Sequence, residues 1–280
     1  MTFREAAERL RRNGIENAEW EASLLLEHFC SIPTAELYAN AERDYSDPAF
    51  LSALERRASH EPLQYLLGEW SFYRQTYEVS PACLIPRPDT EILVEEAIRM
   101  LPRGAFFADL CTGSGCIAIS VLAERPDLAA VAVDLSSDAL EIARRNAVRN
   151  GVSERITFQR ADVLNERFFP AIDRRLDAIL SNPPYIPSGD LPSLSAEVHA
   201  EPQMALDGGR DGLDFYRALF PLSAKLLTED GFCLFEIGYD QADAIGALAA
   251  ASGFSCRIRK DFGANDRVAV LQRNKPEKPA

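Results

Sequence analysis

From residue 105 to residue 273 the chain alternates between short β-prone runs and longer amphipathic ones, and this alternation constrains the fold more than any other feature. AFFADL (105–110) reads as a strand and SGCIAISVLAER as the helix behind it. AAVAVDL (129–135) is a second strand; Ser136 or Ser137 caps the helix DALEIARRNAVRN, and Gly151 sits just past its end. RITFQRAD (155–162) and LDAILS (176–181) are two more strands. GLDFYRALFPLSAKLL is a helix, GFCLFEI (231–237) a strand and DQADAIGALAAAS a helix. SCRIRKD and RVAVLQRN close the chain as two strands about a Gly-Ala-Asn-Asp turn. Strands joined through helices pair in parallel, so the expected class is α/β, a Rossmann-like parallel sheet covered on both faces, with an antiparallel C-terminal hairpin at one edge.

The first 75 residues follow a different pattern and read as a small all-α domain (1–75). Thr2-x-x-Glu5 is a capping box for a helix that aligns Phe3, Ala6, Ala7 and Leu10 on one face and stops at Gly14. Asn17 is placed to cap the next helix, with Trp20, Leu24 and Phe29 inward, and Thr34 opens a short one. Ser46-Asp47-Pro48 supplies a cap and an N1 proline for FLSALERRA, and EPLQYLLGEWSF reads as one or two further helical turns. Residues 76–88, with three prolines in TYEVSPACLIPRPDTE, read as a hairpin or extended linker. The α/β domain then occupies residues 89–280, entered by the amphipathic helix TEILVEEAIRML.

Composition removes several classes of function. The net charge of −13 is a poor match to a protein that tracks phosphates with Lys and Arg, so a nucleic-acid partner is not expected. No apolar run is long enough to span a membrane, and the charged start MTFREAAERLRRNG has no signal-peptide h-region, so a cytoplasmic location and no membrane partner are expected. The six cysteines form no CxxC pair, and His28, His60 and His199 lack ligand spacing. Neither a disulfide frame nor a metal site is expected.

Three strand ends converge on a nucleoside pocket. Residues 109–115, DLCTGSG, join the first strand to its helix; Gly113 and Gly115 let the backbone turn sharply, and the helix N-terminus offers unpaired N–H groups. Asp134 ends the second strand about twenty residues on, where a carboxylate would take two ribose hydroxyls. Asp162 ends the third. Gly113-x-Gly115-x-x-Ala118 also fits the loose dinucleotide fingerprint, which makes NAD the rival ligand. Asp109 favours S-adenosylmethionine: its carboxylate suits the methionyl ammonium, directly or through water, and would repel a pyrophosphate. The closing hairpin also suits the sheet of an S-adenosylmethionine-dependent methyltransferase.

The fourth strand ends at Asn182-Pro183-Pro184-Tyr185 on the same edge. An amide or exocyclic amine has a delocalised, poorly nucleophilic nitrogen. Two acceptors, the Asn182 side-chain oxygen and the Pro183 carbonyl, can hold its two hydrogens and aim it at a methyl donor. The prolines stiffen the loop, and Tyr185 can pack on the flat face of the acceptor. Such a clamp serves a glutamine amide or a nucleobase amine equally well, and DNA or RNA amino-group methylation is the alternative reading.

PLQYLLGEWSFY (62–73), LIPRPDTEILVEEAI (84–98), SNPPYIP (181–187), EPQMALDGGRDGLDFYR (201–217), FEIGYDQ (235–241) and DRVAV (266–270) resemble the peptide chain release factor N5-glutamine methyltransferases, the HemK/PrmC family, from about residue 3 to residue 273. The resemblance implies an S-adenosylmethionine loop at Cys111, Thr112, Gly113, Ser114 and Gly115, a ribose contact at Asp134 and an adenine pocket at Asp162 and Val163. It implies a glutamine-binding motif at Asn182, Pro183, Pro184 and Tyr185, with Asn182 also near the cofactor. The implied substrate is the glutamine of the Gly-Gly-Gln loop in release factors, the implied product S-adenosylhomocysteine, and the helical domain would help dock the protein substrate. Two positions depart from the family pattern: Cys111 stands where glycine is usual, and Val163 where an aromatic is common. The first is expected to weaken or reposition the cofactor contact, and the second to replace ring stacking by a smaller apolar contact. Arg87, Asp89, Glu201 and Glu236 are further candidates for contact with the site or the substrate protein.

Overall fold

The computed structural model describes residues 1–165 and 175–274 and divides into two compact units, Met1–Glu69 with Leu194–Ala200, and Trp70–Ser193 with Glu201–Ala280. The first unit is helical: α1 (Phe3–Arg12), α2 (Ala18–Cys30), α3 (Thr34–Ala39), α4 (Pro48–Ala58) and α5 (Leu63–Leu67). Local chemistry sets its helix starts. Thr2 and Glu5 form the reciprocal capping box, and Asp47 accepts from the N–H groups of Ala49 and Phe50 ahead of Pro48. Leu10, Leu25, Leu26, Leu37, Phe50 and Leu54 are fully buried between these helices. Arg57 is buried with them and pairs with Glu21 and with Glu197 (2.6 Å), the latter on the short helix Ala196–His199.

Three local expectations change. Asn17 makes no side-chain cap, and Trp20, at 50% exposure, lies on the outer face of α2. EPLQYLLGEWSF is helical only to Leu67: Gly68 at φ +73° ends α5, and Glu69–Phe72 becomes β1, which pairs with β2 (Gln75–Glu78). The hairpin thus begins earlier, at Glu69, and only its second strand reaches into residues 76–88, the rest of which carries no strand.

The second unit is built on a seven-stranded sheet. After β1 and β2 come α6 (Glu91–Met100), β3 (Phe106–Leu110), α7 (Cys116–Glu124), β4 (Ala129–Asp134), α8 (Ser137–Arg149), β5 (Ile156–Arg160) and β6 (Leu176–Ser181). The helix Ala196–His199 is α9; α10 (Asp214–Leu226), β7 (Leu227–Glu236), α11 (Ala242–Ala251), β8 (Phe254–Lys260) and β9 (Asp266–Arg273) complete the chain. The strand order is β5-β4-β3-β6-β7-β9-β8, parallel except that β9 runs antiparallel to both β7 and β8. This is the α/β architecture with a C-terminal antiparallel pair.

Alternation along each strand feeds two cores. Phe107 of β3 packs with Leu93 of α6, Val121 of α7 and Ala147 of α8 on one face. Ala108 and Leu110 pack with Leu219 of α10 and Ile245 of α11 on the other. From β3 the chain builds outward through β4 to β5, then returns to place β6 on the other side of β3. The loops leaving β3 and β6 therefore diverge, and a crevice opens between them at the carboxyl edge. Among the described residues no helix is long and apolar enough to cross a membrane.

Candidate active site

A cavity of ≈ 450 Å³ occupies that crevice, within the second unit. Cys111, Thr112, Gly113, Ser114, Asp134, Asp162, Val163, Asn182 and Pro184 all line it, so the four strand ends singled out in the sequence meet in one place.

The loop after β3 is tied on three sides. The Thr112 N–H donates to Val133 O (3.0 Å), the Gly115 N–H to Thr112 O (2.8 Å), and Asn146 Nδ2 to Ser114 O (2.9 Å). Gly115 has φ +83°, and a Cβ there would stand 2.7 Å from Ile119 Cδ1 and 3.2 Å from Ala143 Cβ, so both the backbone and the space favour glycine. Cys111 has φ +59°, in the left-handed region. The backbone there keeps the conformation a glycine would take, at a cost of about 1–2 kcal/mol for an L-residue. Cys111 lines the cavity. Burial beside Asp134 and Asp109 pushes its thiol well above the ordinary range, as a nucleophile's would not be.

Asp134 lines the cavity with both carboxylate oxygens anchored: Oδ2 accepts from the Gly113 N–H (2.9 Å) and Oδ1 from the Ser136 N–H (2.9 Å). Each oxygen keeps a lone pair, the capacity that a vicinal diol requires. Asp162 Oδ1 accepts from the Leu164 N–H (3.0 Å), and Val163 is buried at the wall.

Asp109 and Gly115 do not line the cavity. On β3 the Asp109 side chain shares the face of Phe107, so it points beneath the loop toward α7 and is fully buried. Its Oδ2 accepts from Thr112 Oγ1 (2.6 Å) and the Ala118 N–H (3.2 Å), while Oδ1 has no hydrogen-bond partner among the described residues. Burial raises its pKa to about 7.

Asn182 and Pro184 line the cavity; Pro183 and Tyr185 do not. Asn182 Nδ2 donates to Thr90 Oγ1 (3.3 Å), and Thr90 Oγ1 donates to Glu236 Oε2 (2.6 Å). Among the described residues no donor takes up Asn182 Oδ1 or the Pro183 carbonyl. Tyr185, expected over the flat face of an acceptor, is placed otherwise: its ring packs against the α10–α11 core and its hydroxyl donates to Glu236 Oε1 (3.4 Å). Its role in this geometry is to hold the loop down.

The residues that hold the Asn-Pro-Pro-Tyr loop come from far along the chain. Gln241 Nε2 donates to Tyr185 O (3.1 Å) and Gly212 O (3.2 Å), while its Oε1 accepts from the Gly238 N–H (2.9 Å). The Ile186 N–H donates to Leu206 O (3.0 Å) and the Gly208 N–H returns to Ile186 O (2.8 Å). Gly208 and Gly212 press directly on the loop: a Cβ on Gly208 would lie 2.7 Å from Tyr185 Cα, and one on Gly212 2.3 Å from Tyr185 O. The loop-holding residues stand in the segments LDGGRDG and FEIGYDQ, and Thr90 in RPDTE, but spacing alone could not show that they meet. Of the other candidates, Arg87 lines the cavity and pairs with buried Glu201, whose Oε2 accepts from the Ile85 N–H (3.0 Å). Asp89 pairs with Arg267 (3.2 Å).

Comparison with known proteins agrees with this architecture. The model of the PrmC N-terminal domain matches residues 2–68, and that of the methyltransferase small domain residues 88–202. The chain is 41% identical to the release factor glutamine methyltransferase of Moorella thermoacetica, over 98% of this chain and 99% of that one. It is 40% identical to the release factor glutamine methyltransferase of Geobacter sulfurreducens, over 92% and 91%. A methyltransferase crystal structure from Pyrococcus furiosus shares the fold at a TM-score of 0.53 and 18% identity, over 71% of this chain and 89% of that one. Identity at this level along nearly the full length of both chains shows that the protein belongs to the release factor glutamine methyltransferase family, PrmC/HemK.

Proposed function

We propose that this protein transfers a methyl group from S-adenosylmethionine to the side-chain amide nitrogen of the glutamine in the Gly-Gly-Gln motif of peptide chain release factors. The relatives from Moorella thermoacetica and Geobacter sulfurreducens, matched over 99% and 91% of their own length, are named release factor glutamine methyltransferases. The single observation that carries the chemistry is Asn182 Oδ1, which belongs to a cavity-lining residue and is used by no donor among the described residues; the neighbouring Pro183 carbonyl, just off the cavity, is equally without a donor.

The residues present fit the cofactor. Cys111 to Gly115 form the tight loop, Asp134 would offer its remaining lone pairs to the ribose, and Asp162 and Val163 would serve the adenine. Asp109 lies beneath that loop and off the cavity, and its partnerless Oδ1 would be reached by a methionyl ammonium only through a water. When bound, the cofactor supplies a methyl group on a positively charged sulfur; its transfer breaks that carbon–sulfur bond and forms a carbon–nitrogen bond.

The protein's part is binding and aim. Asn182 Oδ1 and the Pro183 carbonyl accept the two hydrogens of the glutamine amide, which fixes the plane of the amide and raises electron density on its nitrogen. The methylated nitrogen, now cationic and strongly acidic, then loses one of those hydrogens as a proton to water, so no strong base is needed beforehand. Pro183 and Pro184 keep the loop stiff, and Gln241, Gly208 and Gly212 keep it in place.

The test is to incubate the protein with methyl-labelled S-adenosylmethionine and, in parallel, with purified release factor, DNA and ribosomal RNA. Label is expected on the release factor alone. Label on a nucleic acid and none on the release factor would favour the alternative acceptor.

A further inference from the structure

An asparagine amide can be set in its site in two ways, related by a half-turn, and only one presents oxygen to a substrate amide. At Asn182 the choice is made two residues away from the reaction. Thr90 Oγ1 has one proton, and it is given to Glu236 Oε2 at 2.6 Å. A hydroxyl with its proton committed can only accept from its other neighbour, so Asn182 must turn its NH2 toward Thr90, at 3.3 Å. Oδ1 is then left for the substrate. Glu236, at 1% exposure, also accepts from the Tyr185 hydroxyl (3.4 Å), so the groups around its carboxylate present donors to it.

We infer that Thr90 and Glu236 are positioning residues for methyl transfer: the ionised Glu236 carboxylate polarises the Thr90 hydroxyl, and that hydroxyl fixes the Asn182 amide with its oxygen toward the acceptor. This inference deepens the function proposed above and rests on the clamp role of Asn182. Without the negative charge on Glu236, the Thr90 proton is free to turn to Asn182 Oδ1. The amide can then flip and face the substrate's NH2 with its own.

The arrangement carries a pH signature. The charged and titratable groups facing Glu236 are Asp89 on the turn before α6, Tyr185 after β6, and Arg267 on β9; the Tyr216 hydroxyl of α10 binds its backbone oxygen at 2.7 Å. Burial outweighs the Thr90 bond and the Arg267 attraction and raises the Glu236 pKa to about 7. The active form is the ionised one, so kcat at saturating cofactor should rise with pH through this region and fall as Glu236 is protonated. Saturation is required because Asp109, facing the cofactor loop, titrates in the same range.

The experiment compares Glu236→Gln, Thr90→Val and Thr90→Ser with the parent protein. The readouts are kcat against pH at saturating S-adenosylmethionine, with release factor as substrate, and the Kd for S-adenosylmethionine as a check on the fold. Glu236→Gln and Thr90→Val are expected to lower kcat about 10- to 100-fold with Kd within about threefold, and Glu236→Gln to flatten the ascending limb near pH 7. Thr90→Ser, which keeps the hydroxyl, is expected to restore kcat to within about threefold. Parental kcat and an unmoved ascending limb in Glu236→Gln would overturn the positioning role. Asn182→Ala, run alongside, separates this from the clamp itself. If that variant keeps its turnover, the clamp fails; if it loses turnover while Thr90→Val and Glu236→Gln do not, only the positioning role fails.

Discussion

Replacing Asn182 by alanine is expected to lower kcat for release factor methylation by about 10²–10³-fold while changing the Kd for S-adenosylmethionine by no more than a few fold. The asymmetry follows from where the side chain's two ends go. Nδ2 is spent on Thr90, inside the protein, and Oδ1 is the end left without a donor. Removing it takes away one of the two acceptors that hold the substrate amide, and leaves the loop at Cys111 to Gly115 and the Asp134 anchor untouched. Single-turnover rates with saturating cofactor, beside a direct binding titration, make the measurement. A variant that keeps parental turnover would remove Asn182 from the reaction. A variant that loses turnover only because it no longer binds cofactor would move Asn182 to the cofactor pocket.

The second large effect is expected at a residue that touches neither ligand. Gly212 has φ +73°, and a Cβ there would lie 2.3 Å from the Tyr185 carbonyl oxygen and 2.8 Å from Gln241 Nε2. In Gly212→Ala the left-handed backbone costs about 1–2 kcal/mol. Relieving the clash costs about 1–3 kcal/mol more. The atom in the way is backbone, so relief must come from moving the Asn-Pro-Pro-Tyr loop or breaking the Gln241 bonds that hold it. Stability should fall by about 2–5 kcal/mol in a urea titration. The folded fraction should still turn over about 10²-fold more slowly, because the clamp has been displaced by a fraction of an ångström or more. Parental stability and rate in Gly212→Ala would show that the loop tolerates what the geometry forbids.

These two residues illustrate what could be read from the chain and what could not. Asn182, Gly113, Asp134 and Asp162 are strand-end residues whose places follow from hydrophobic alternation alone. The parallel register aligns Leu110 with Val133 and Ser181, so their loops must open on one edge. The topology was legible for the same reason. Asp109 was not, because its direction depends on strand parity: it shares the Phe107 face and turns under the loop, where burial governs its titration. From sequence alone Tyr185 suits a substrate platform, as an aromatic beside a clamp does. Its position is set instead by the α10–α11 core beneath it and by Glu236, 51 residues away in the chain. Thr90, Glu236, Gln241 and Gly212 come together from distant segments, the Thr90–Glu236 bond alone spanning 146 residues, and no local spacing encodes such a meeting. Trp20 and the start of β1 were misplaced for a simpler reason: an aromatic on a surface helix face costs little, and Gly68 stops a helix that the apolar pattern alone would continue.

The central claim is that the acceptor is a glutamine amide. It is tested most directly by offering the protein, with labelled S-adenosylmethionine, release factor in its natural form and release factor whose Gly-Gly-Gln glutamine is replaced by alanine. The account predicts one methyl per molecule on the natural protein, located on that glutamine, and none on the alanine form. Equal labelling of both would contradict it.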